Sequence, residues 1–244
     1  MTTQEDLKIP FGKTEIPASL ALPESGTAPW PGVVVIHEML GLNDDIRRIT
    51  RRFADSGYAA VAPDLFAGLG PKPICMMRTV AAYRKGGGRA LKAIEASRAW
   101  LADRPEVDAS RIGVAGFCMG GGFALLMGTT STVGVAATFY GDLPDRAEDL
   151  EGVCPVIASY GGRDRLFAKK GRRLKRYLDD LGVSNDVKVY DDAGHSFMSQ
   201  HSGLTARIGA LSPLRVRYNE PAAEDAWSRM LSFFAEHLPE AADK

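Results

Sequence analysis

The chain has 244 residues, with 30 basic and 30 acidic side chains and a formal net charge of zero at pH 7. Because no long block of one charge stands out, nucleic acid and anionic membrane surfaces are disfavoured as partners. The longest apolar runs fall short of the ~18 residues that a membrane span needs, and the polar, acidic start MTTQEDLKIP lacks the pattern of a secretory signal, so we expect a cytoplasmic protein.

Short β-like runs alternate with longer helical patterns, which predicts an α/β fold with a doubly wound, mostly parallel sheet flanked by helices. The length suits a single large domain over residues 1–244. The run GVVVIH is continuously apolar and β-branched up to its histidine, as is typical of a strand buried on both faces. The predicted strands are TEIPASLALP at 14–23, GVVVIH at 32–37, YAAVAP at 58–63, RIGVAGF at 111–117, VGVAATFYG at 133–141, CPVIASYGG at 154–162 and DVKVYDD at 186–192.

Helices are predicted between these strands and at the end of the chain. The first covers 44–56, with Asn43 as its N-cap and Gly57 as its stop. The stretch 73–103 is mainly helical, with an interruption near 86–88. Further helices are predicted over 119–127, 167–181 and 221–238.

The segment GFCMG at 116–120 joins a predicted strand to a predicted helix. It is the G-x-S-x-G pattern with cysteine in place of serine, and Gly116 and Gly120 remove side chains that would collide with the backbone of a sharp turn. Such a turn exposes Cys118 at a helix N-terminus, which favours the thiolate, and aims the backbone N–H of Met119 at a developing oxyanion. The alternative is a buried structural cysteine in a tight turn.

A nucleophile of this kind needs a base and a residue that orients the base. His195 lies in DDAGHSF, after the strand at 186–192, and Asp164 lies in YGGRDRLF, after the strand at 154–162. The order nucleophile, acid, base is that of α/β-hydrolases, and open α/β sheets gather their sites at the carboxyl ends of strands. Asp164 could instead cap a helix, His195 could be bonded only to backbone, and Asp142 is a second candidate acid.

Three other histidines are present. His37 ends an early strand, His237 lies late in the last helix, and His201, six residues past His195, is given no role.

At this point the sequence resembles the dienelactone hydrolase family of α/β-hydrolases over nearly its whole length. The segments that carry the resemblance are VVVIHEMLGLN, YAAVAPDLFAG, RIGVAGFCMGGGFAL, YGGRDRLF, DDAGHSFM and RYNEPAAEDAWSRMLSFFAEHL. The resemblance implies an α/β-hydrolase fold, a triad of Cys118, His195 and Asp164, and neither a metal nor an organic cofactor.

The resemblance also gives Glu38 a role beside the nucleophile. There it would hold the proton of the thiol while no substrate is bound and move aside when one arrives, which protects the cysteine because oxidants attack the thiolate. The alternative is a solvated loop carboxylate. The backbone N–H of Met39 would be a second oxyanion donor beside that of Met119.

The sequence departs from the family pattern just after the predicted base. Where the best-known members carry an arginine that holds the carboxylate of the substrate, this chain has Ser199. Arg78 and Tyr83 are possible counterparts of two further substrate-binding residues of the family, and Arg207 is another basic residue in the same long loop.

The leading functional hypothesis is hydrolysis of a small-molecule ester or lactone through a covalent acyl-enzyme. A broad carboxylesterase or thioesterase would use the same parts. A non-catalytic small-molecule binder and a thiol redox protein remain alternatives, although the three cysteines form no C-x-x-C pair, disulfide framework or zinc motif. A monomer or small homo-oligomer is expected.

Overall fold

The computed structural model describes residues 3–67, 72–83, 86–201 and 209–239. Within these ranges one eight-stranded sheet runs in the order β1-β2-β4-β3-β5-β6-β7-β8. The strands are β1 Thr3–Phe11, β2 Thr14–Leu22, β3 Trp30–Ile36, β4 Ala59–Pro63, β5 Val107–Phe117, β6 Val135–Phe139, β7 Val156–Gly161 and β8 Asn185–Tyr190.

The strands from β4 across to β8 pair in parallel, and β2 joins β4 antiparallel. The hairpin of β1 and β2 completes the sheet, turning at Gly12 with a φ of 59°. The sequence analysis assigns no strand to the first ten residues. Leu7, Ile9 and Phe11 alternate with Lys8 and Pro10, but Ile9 is the one fully buried residue of β1 and the first half of the strand is polar.

Six helices of the described residues cover the sheet. They are α1 Asp44–Asp55, α2 Lys72–Tyr83, α3 Gly88–Ala102, α4 Met119–Gly128, α5 Ala168–Asp180 and α6 Glu220–His237, and a short 3-10 helix covers Ala147–Leu150. Helices α1 and α6 pack on one face with Val33 and Val35, whereas α2, α3 and α4 pack on the other with Val34 and Ile36. The predicted doubly wound, mostly parallel sheet is confirmed.

Local signals place several helix ends correctly. The side chain of Asn43 accepts a hydrogen bond from the N–H of Ile46 at 3.0 Å, so the predicted N-cap of α1 is confirmed. Between α2 and α3 the chain passes through glycines with positive φ at 86–88, where the interruption is predicted. No helix among the described residues has the length and apolarity that a bilayer crossing requires.

The parallel strands bring their carboxyl ends to one edge of the sheet. Glu38 follows β3, Cys118 follows β5, Tyr140 follows β6 and Asp164 follows β7, and His195 comes five residues after the end of β8. Side chains that are far apart in sequence therefore meet at this edge.

Candidate active site

Cys118 lies at the tip of a strained turn between β5 and α4. Its φ of 53° and ψ of −117° are values that side-chain-bearing residues rarely adopt. A Cβ atom at Gly116 would collide with the carbonyl oxygen of Gly120, and one at Gly120 would collide with the carbonyl of Ile36. The two glycines therefore allow α4 to pack against the ends of β5 and β3, and Cys118 is left partly exposed.

We expect Gly116→Ala to lower the free energy of unfolding by about 2–4 kcal/mol, because the added methyl group meets backbone that cannot rotate away. Gly32→Ala is the matched control, since a Cβ atom there meets side-chain atoms of Leu101, Val107 and Ile112 at 3.1–3.3 Å, and these can shift. Urea unfolding of both variants measures the difference. Equal losses would show that the turn tolerates a side chain at residue 116.

His195 and Asp164 are directly hydrogen-bonded. The Nδ1 atom of His195 lies 2.6 Å from Oδ2 of Asp164, and both side chains are buried. The other oxygen of Asp164 accepts hydrogen bonds from the N–H groups of Leu166 and Phe167 at 2.9 and 3.1 Å. Asp164 thus both stabilises the turn before α5 and contacts the histidine.

Asp142, the second candidate acid, faces elsewhere. Its Oδ1 atom lies 2.5 Å from Nζ of Lys170, and its side chain is 37% exposed. The structure therefore brings Asp164, and not Asp142, to His195.

Cys118 and His195 follow β5 and β8 at the same edge of the sheet, and Cys118 contributes to the pKa of His195. Burial lowers the pKa of His195, but the hydrogen bonds to Asp164 and Cys118 outweigh it and leave the pKa raised. The rings of Phe167 and Tyr140 pack on the imidazole at centroid distances of 4.8 and 5.0 Å. The imidazole is therefore fixed in place and favours holding a proton, as a base that accepts the thiol proton requires.

The two predicted oxyanion donors lie in the backbone that follows β5 and β3. Met119 is the first residue of α4, and Met39 lies in the turn after β3 that the bond from Gly41 N–H to Glu38 carbonyl oxygen closes at 3.1 Å. Among the described residues, the backbone N–H groups of Met39 and Met119 have no backbone acceptor. Both donors therefore remain available to a ligand at this edge.

Glu38 is buried and held by two donors. Its Oε1 atom accepts a hydrogen bond from Oγ of Ser199 at 2.8 Å, and its Oε2 atom lies 2.9 Å from Nε2 of His201. Burial raises the pKa of Glu38, but the hydrogen bonds from His201 and Ser199 and the charge of His201 outweigh it, so the pKa lies below its usual value. Ser199 thus binds the carboxylate of the protein itself at the position where the family carries its arginine.

The substrate-binding candidates lie at different places. Arg78 is exposed on α2, in a cavity of about 270 Å³ that it shares with Thr79, Ala82, Arg89 and Ala90, none of which is a predicted site residue. The ring of Tyr83 packs against Phe123 of α4, and its buried hydroxyl has no hydrogen-bond partner among the described residues. Arg207 lies outside the described residues.

Two of the remaining histidines have structural contacts. Nε2 of His37 accepts a hydrogen bond from the N–H of Leu65 at 3.0 Å, and burial lowers the pKa of this residue, which keeps the ring neutral. Nε2 of His237 lies 3.2 Å from Oγ of Ser184. No group of three or more metal-ligating side chains occurs in the part of the chain that the structure describes.

The sequence analysis missed His201 and Tyr140. Tyr140 is fully buried with a φ of 44°, and its hydroxyl lies 3.2 Å from Oγ of Ser199. Its place at the carboxyl end of a predicted strand was the signal that could have identified it. For His201 the signal was only its residue type and its position in the loop of His195.

Comparison with known proteins identifies the family. The profile of the dienelactone hydrolase family matches residues 16–238. A Yersinia pestis protein named "Putative carboxymethylenebutenolidase" is 29% identical over 247 residues, covering 94% of this chain and 86% of that protein. A protein of the same name from Saccharolobus solfataricus is 28% identical, covering 90% and 93%.

Solved structures agree with this assignment. A structure described as a putative dienelactone hydrolase from Klebsiella pneumoniae superposes with a TM-score of 0.80 at 26% identity, covering 97% of this chain and 99% of that one. A dienelactone hydrolase-like promiscuous phosphotriesterase from metagenomic libraries gives 0.78 at 27% identity, covering 97% and 98%. The predicted α/β-hydrolase fold is thereby confirmed, and the chain belongs to the dienelactone hydrolase family.

Proposed function

We propose that this protein hydrolyses small ester or lactone substrates with Cys118 as nucleophile, His195 as base and Asp164 as the residue that orients His195. The observation that carries the proposal is the 2.6 Å contact of His195 with Asp164, at the edge of the sheet where the strained, partly exposed Cys118 also lies. Each member follows a different strand, so the arrangement depends on the whole sheet.

The chemistry follows from the positions of these groups. The sulfur of Cys118 attacks the carbonyl carbon while its proton passes to His195, and the N–H groups of Met39 and Met119 stabilise the oxyanion. The tetrahedral intermediate collapses as His195 donates the proton to the leaving alkoxide. A water molecule, deprotonated by His195, then cleaves the thioester and releases the acid and the free thiol.

The two other hypotheses, a non-catalytic binder and a thiol redox protein, explain fewer of the contacts at this site. A pure binder has no need of an imidazole fixed between a thiol and a buried carboxylate. A redox protein needs a second thiol near Cys118, but Cys154 packs against Gly128 at the other end of α4. A helix of this length separates its ends by about 15 Å, far more than a disulfide spans.

Trapping the acyl-enzyme tests the proposal. Wild-type protein is mixed with a series of activated esters and thioesters and quenched with acid within the first turnover. We expect a burst of the leaving group and an added acyl group on the peptide that contains Cys118. Turnover without an acylated Cys118 peptide, or acylation at Cys154 instead, would contradict the proposed mechanism.

The surroundings of the site favour neutral substrates. Ser199 is engaged by Glu38, and the histidine beside it is paired with the same carboxylate. Leu40 and Leu166, two residues past Glu38 and Asp164 respectively, are 46% and 58% exposed at this edge. Apolar surface is therefore available to a substrate, whereas His201 is already paired with Glu38.

We expect a neutral ester to be hydrolysed with a kcat/KM at least comparable to that of its carboxylate-bearing analogue. A charge-assisted hydrogen bond contributes ~1.5–3 kcal/mol, so its loss should weaken a preference for the anion by about 10–100-fold. The two substrates are compared at low and high salt. A strong, salt-sensitive preference for the anion would contradict this, and Arg78→Ala and Arg207→Ala would then identify the anchor.

A further inference from the structure

The pair of Glu38 and His201 is a buried contact that the proposed chemistry does not use. The side chains are 7% and 14% exposed, and their charged atoms lie 2.9 Å apart. Ser199 donates to the second carboxylate oxygen at 2.8 Å, and the hydroxyl of Tyr140 lies 3.2 Å from Oγ of Ser199. The carboxylate is therefore held by one charged and one neutral donor.

The backbone brings Glu38 and the nucleophile to the same edge of the sheet. Ile36 of β3 is the register partner of Gly116 of β5, and Glu38 and Cys118 each come two residues after this pair. His195 is linked to both residues, because its charge lowers the pKa of Glu38 and Cys118 raises the pKa of His195. The thiol at the same edge is therefore a further hydrogen-bond donor that could bind the Glu38 carboxylate after its release.

We propose that His201 is a positioning residue that holds the Glu38 carboxylate away from the Cys118 thiol, so that thiol reactivity depends on the charge of His201. The proposal rests on Cys118 being the nucleophile of the proposed function. When His201 is neutral, Glu38 loses its cationic partner and keeps only neutral donors, and a buried carboxylate in that state is stabilised by a further donor. The S–H group of Cys118 supplies it, and a thiol that donates to a carboxylate loses its proton less readily.

The groups that face His201 determine whether its pKa is raised or lowered. The hydrogen bond to Glu38 raises the pKa of His201, burial opposes this, and the charges of Asp45 on α1 and of His195 act in opposite directions. The guanidinium of Arg48 lies 2.8 Å from Asp45 and donates to the carbonyl oxygen of Met198 at 3.2 Å. The pKa of Glu38 is lowered and that of His201 is raised, so both side chains are charged at pH values between the two. The ion pair is lost when His201 deprotonates, as the pH rises through its pKa.

The rate at which iodoacetamide alkylates Cys118 tests the proposal without any turnover. The series comprises wild type, His201→Gln, His201→Arg, Glu38→Gln and the double variant Glu38→Gln/His201→Gln. At about pH 6, below the ordinary pKa of histidine, His201→Gln should react about tenfold more slowly than wild type, and this difference should vanish at high pH. His201→Arg keeps a cation at every pH, so its rate should match wild type at about pH 6 and exceed it increasingly as the pH rises.

Comparing Glu38→Gln with the double variant Glu38→Gln/His201→Gln shows whether His201 acts through Glu38. The two alkylation rates should differ little, because no carboxylate remains to be released. The proposal would be overturned if His201→Gln slowed alkylation equally with and without Glu38→Gln. It would also be overturned if the ratio of the His201→Arg alkylation rate to the wild-type rate did not change with pH. The second outcome can be measured even if His201→Gln fails to fold. A lack of ester turnover in wild type would instead contradict the proposed function. The alkylation rates could still be interpreted, because they do not depend on turnover.

Discussion

Cys118→Ala and His195→Ala should each lower kcat for an activated ester by at least ~10³-fold, and the double variant should be little worse than either single one. The reason is that the sulfur and the imidazole act as one unit, since the proposed mechanism passes the proton of the thiol to the histidine. Removing either group stops formation of the acyl-enzyme. What remains comes from substrate binding and from the N–H donors of Met39 and Met119.

Two control variants separate loss of chemistry from general damage. Cys154→Ala removes a half-buried thiol whose pKa burial raises to about 12, and His237→Ala removes a histidine that contacts Ser184. Both should keep wild-type kcat. Activity of Cys118→Ala at the wild-type level would exclude Cys118 as the nucleophile, and multiplicative losses in the double variant would show that the thiol and the imidazole act independently.

The central strands were predictable because their side chains face two cores. Val33 and Val35 pack on one face of β3 and Val34 and Ile36 on the other, which makes the run continuously apolar. Strand β1 lies at the edge of the sheet and alternates only in its second half, where Leu7, Ile9 and Phe11 are apolar. Its polar first half joins the sheet by pairing with β2, which the local pattern of side chains does not reveal.

The candidate site was predictable where a residue follows a strand directly. Cys118 and Asp164 stand within three residues of the ends of β5 and β7, and the topology of a parallel sheet fixes where such residues meet. His201 lies eleven residues beyond the end of β8, in a loop whose path depends on tertiary contacts. The sequence therefore indicated an acid at residue 38 but not the cation that binds it.

The sharp turn at Cys118 was predicted, but backbone strain at two other residues was not. Tyr140 and Ser196 adopt positive φ values of 44° and 52° at the same edge of the sheet. Such conformations cost of order 1–3 kcal/mol each and persist only where the surrounding packing enforces them. Tyr140 is held by a tilted ring contact with His195 and an edge-to-face contact with Phe197, both of which come from the loop after β8. This strain arises from long-range packing rather than from any local preference.

Asp164→Asn should lower kcat by roughly 10³–10⁴-fold while leaving the fold intact. Asparagine keeps an oxygen that can accept from the N–H groups of Leu166 and Phe167, so the turn before α5 is preserved. Toward His195, however, the change replaces a carboxylate with a neutral amide. The imidazole then loses both the acceptor that fixes its tautomer and the charge that stabilises its protonated form.

Two further variants test whether the loss comes from this contact. Asp142→Asn removes an ion pair with Lys170 whose side chains are 37% and 26% exposed, and such a pair contributes ~0–1 kcal/mol, so kcat should stay within about threefold. Asp164→Ala loses the contacts to Leu166 and Phe167 as well, so it should also lower the free energy of unfolding by ~1 kcal/mol, which Asp164→Asn should not do. Turnover and urea unfolding of the three variants measure both effects. If Asp142→Asn lost most of its kcat and Asp164→Asn kept it, the catalytic acid would be Asp142. The 2.6 Å contact of Asp164 with His195 would then serve only to stabilise the loop.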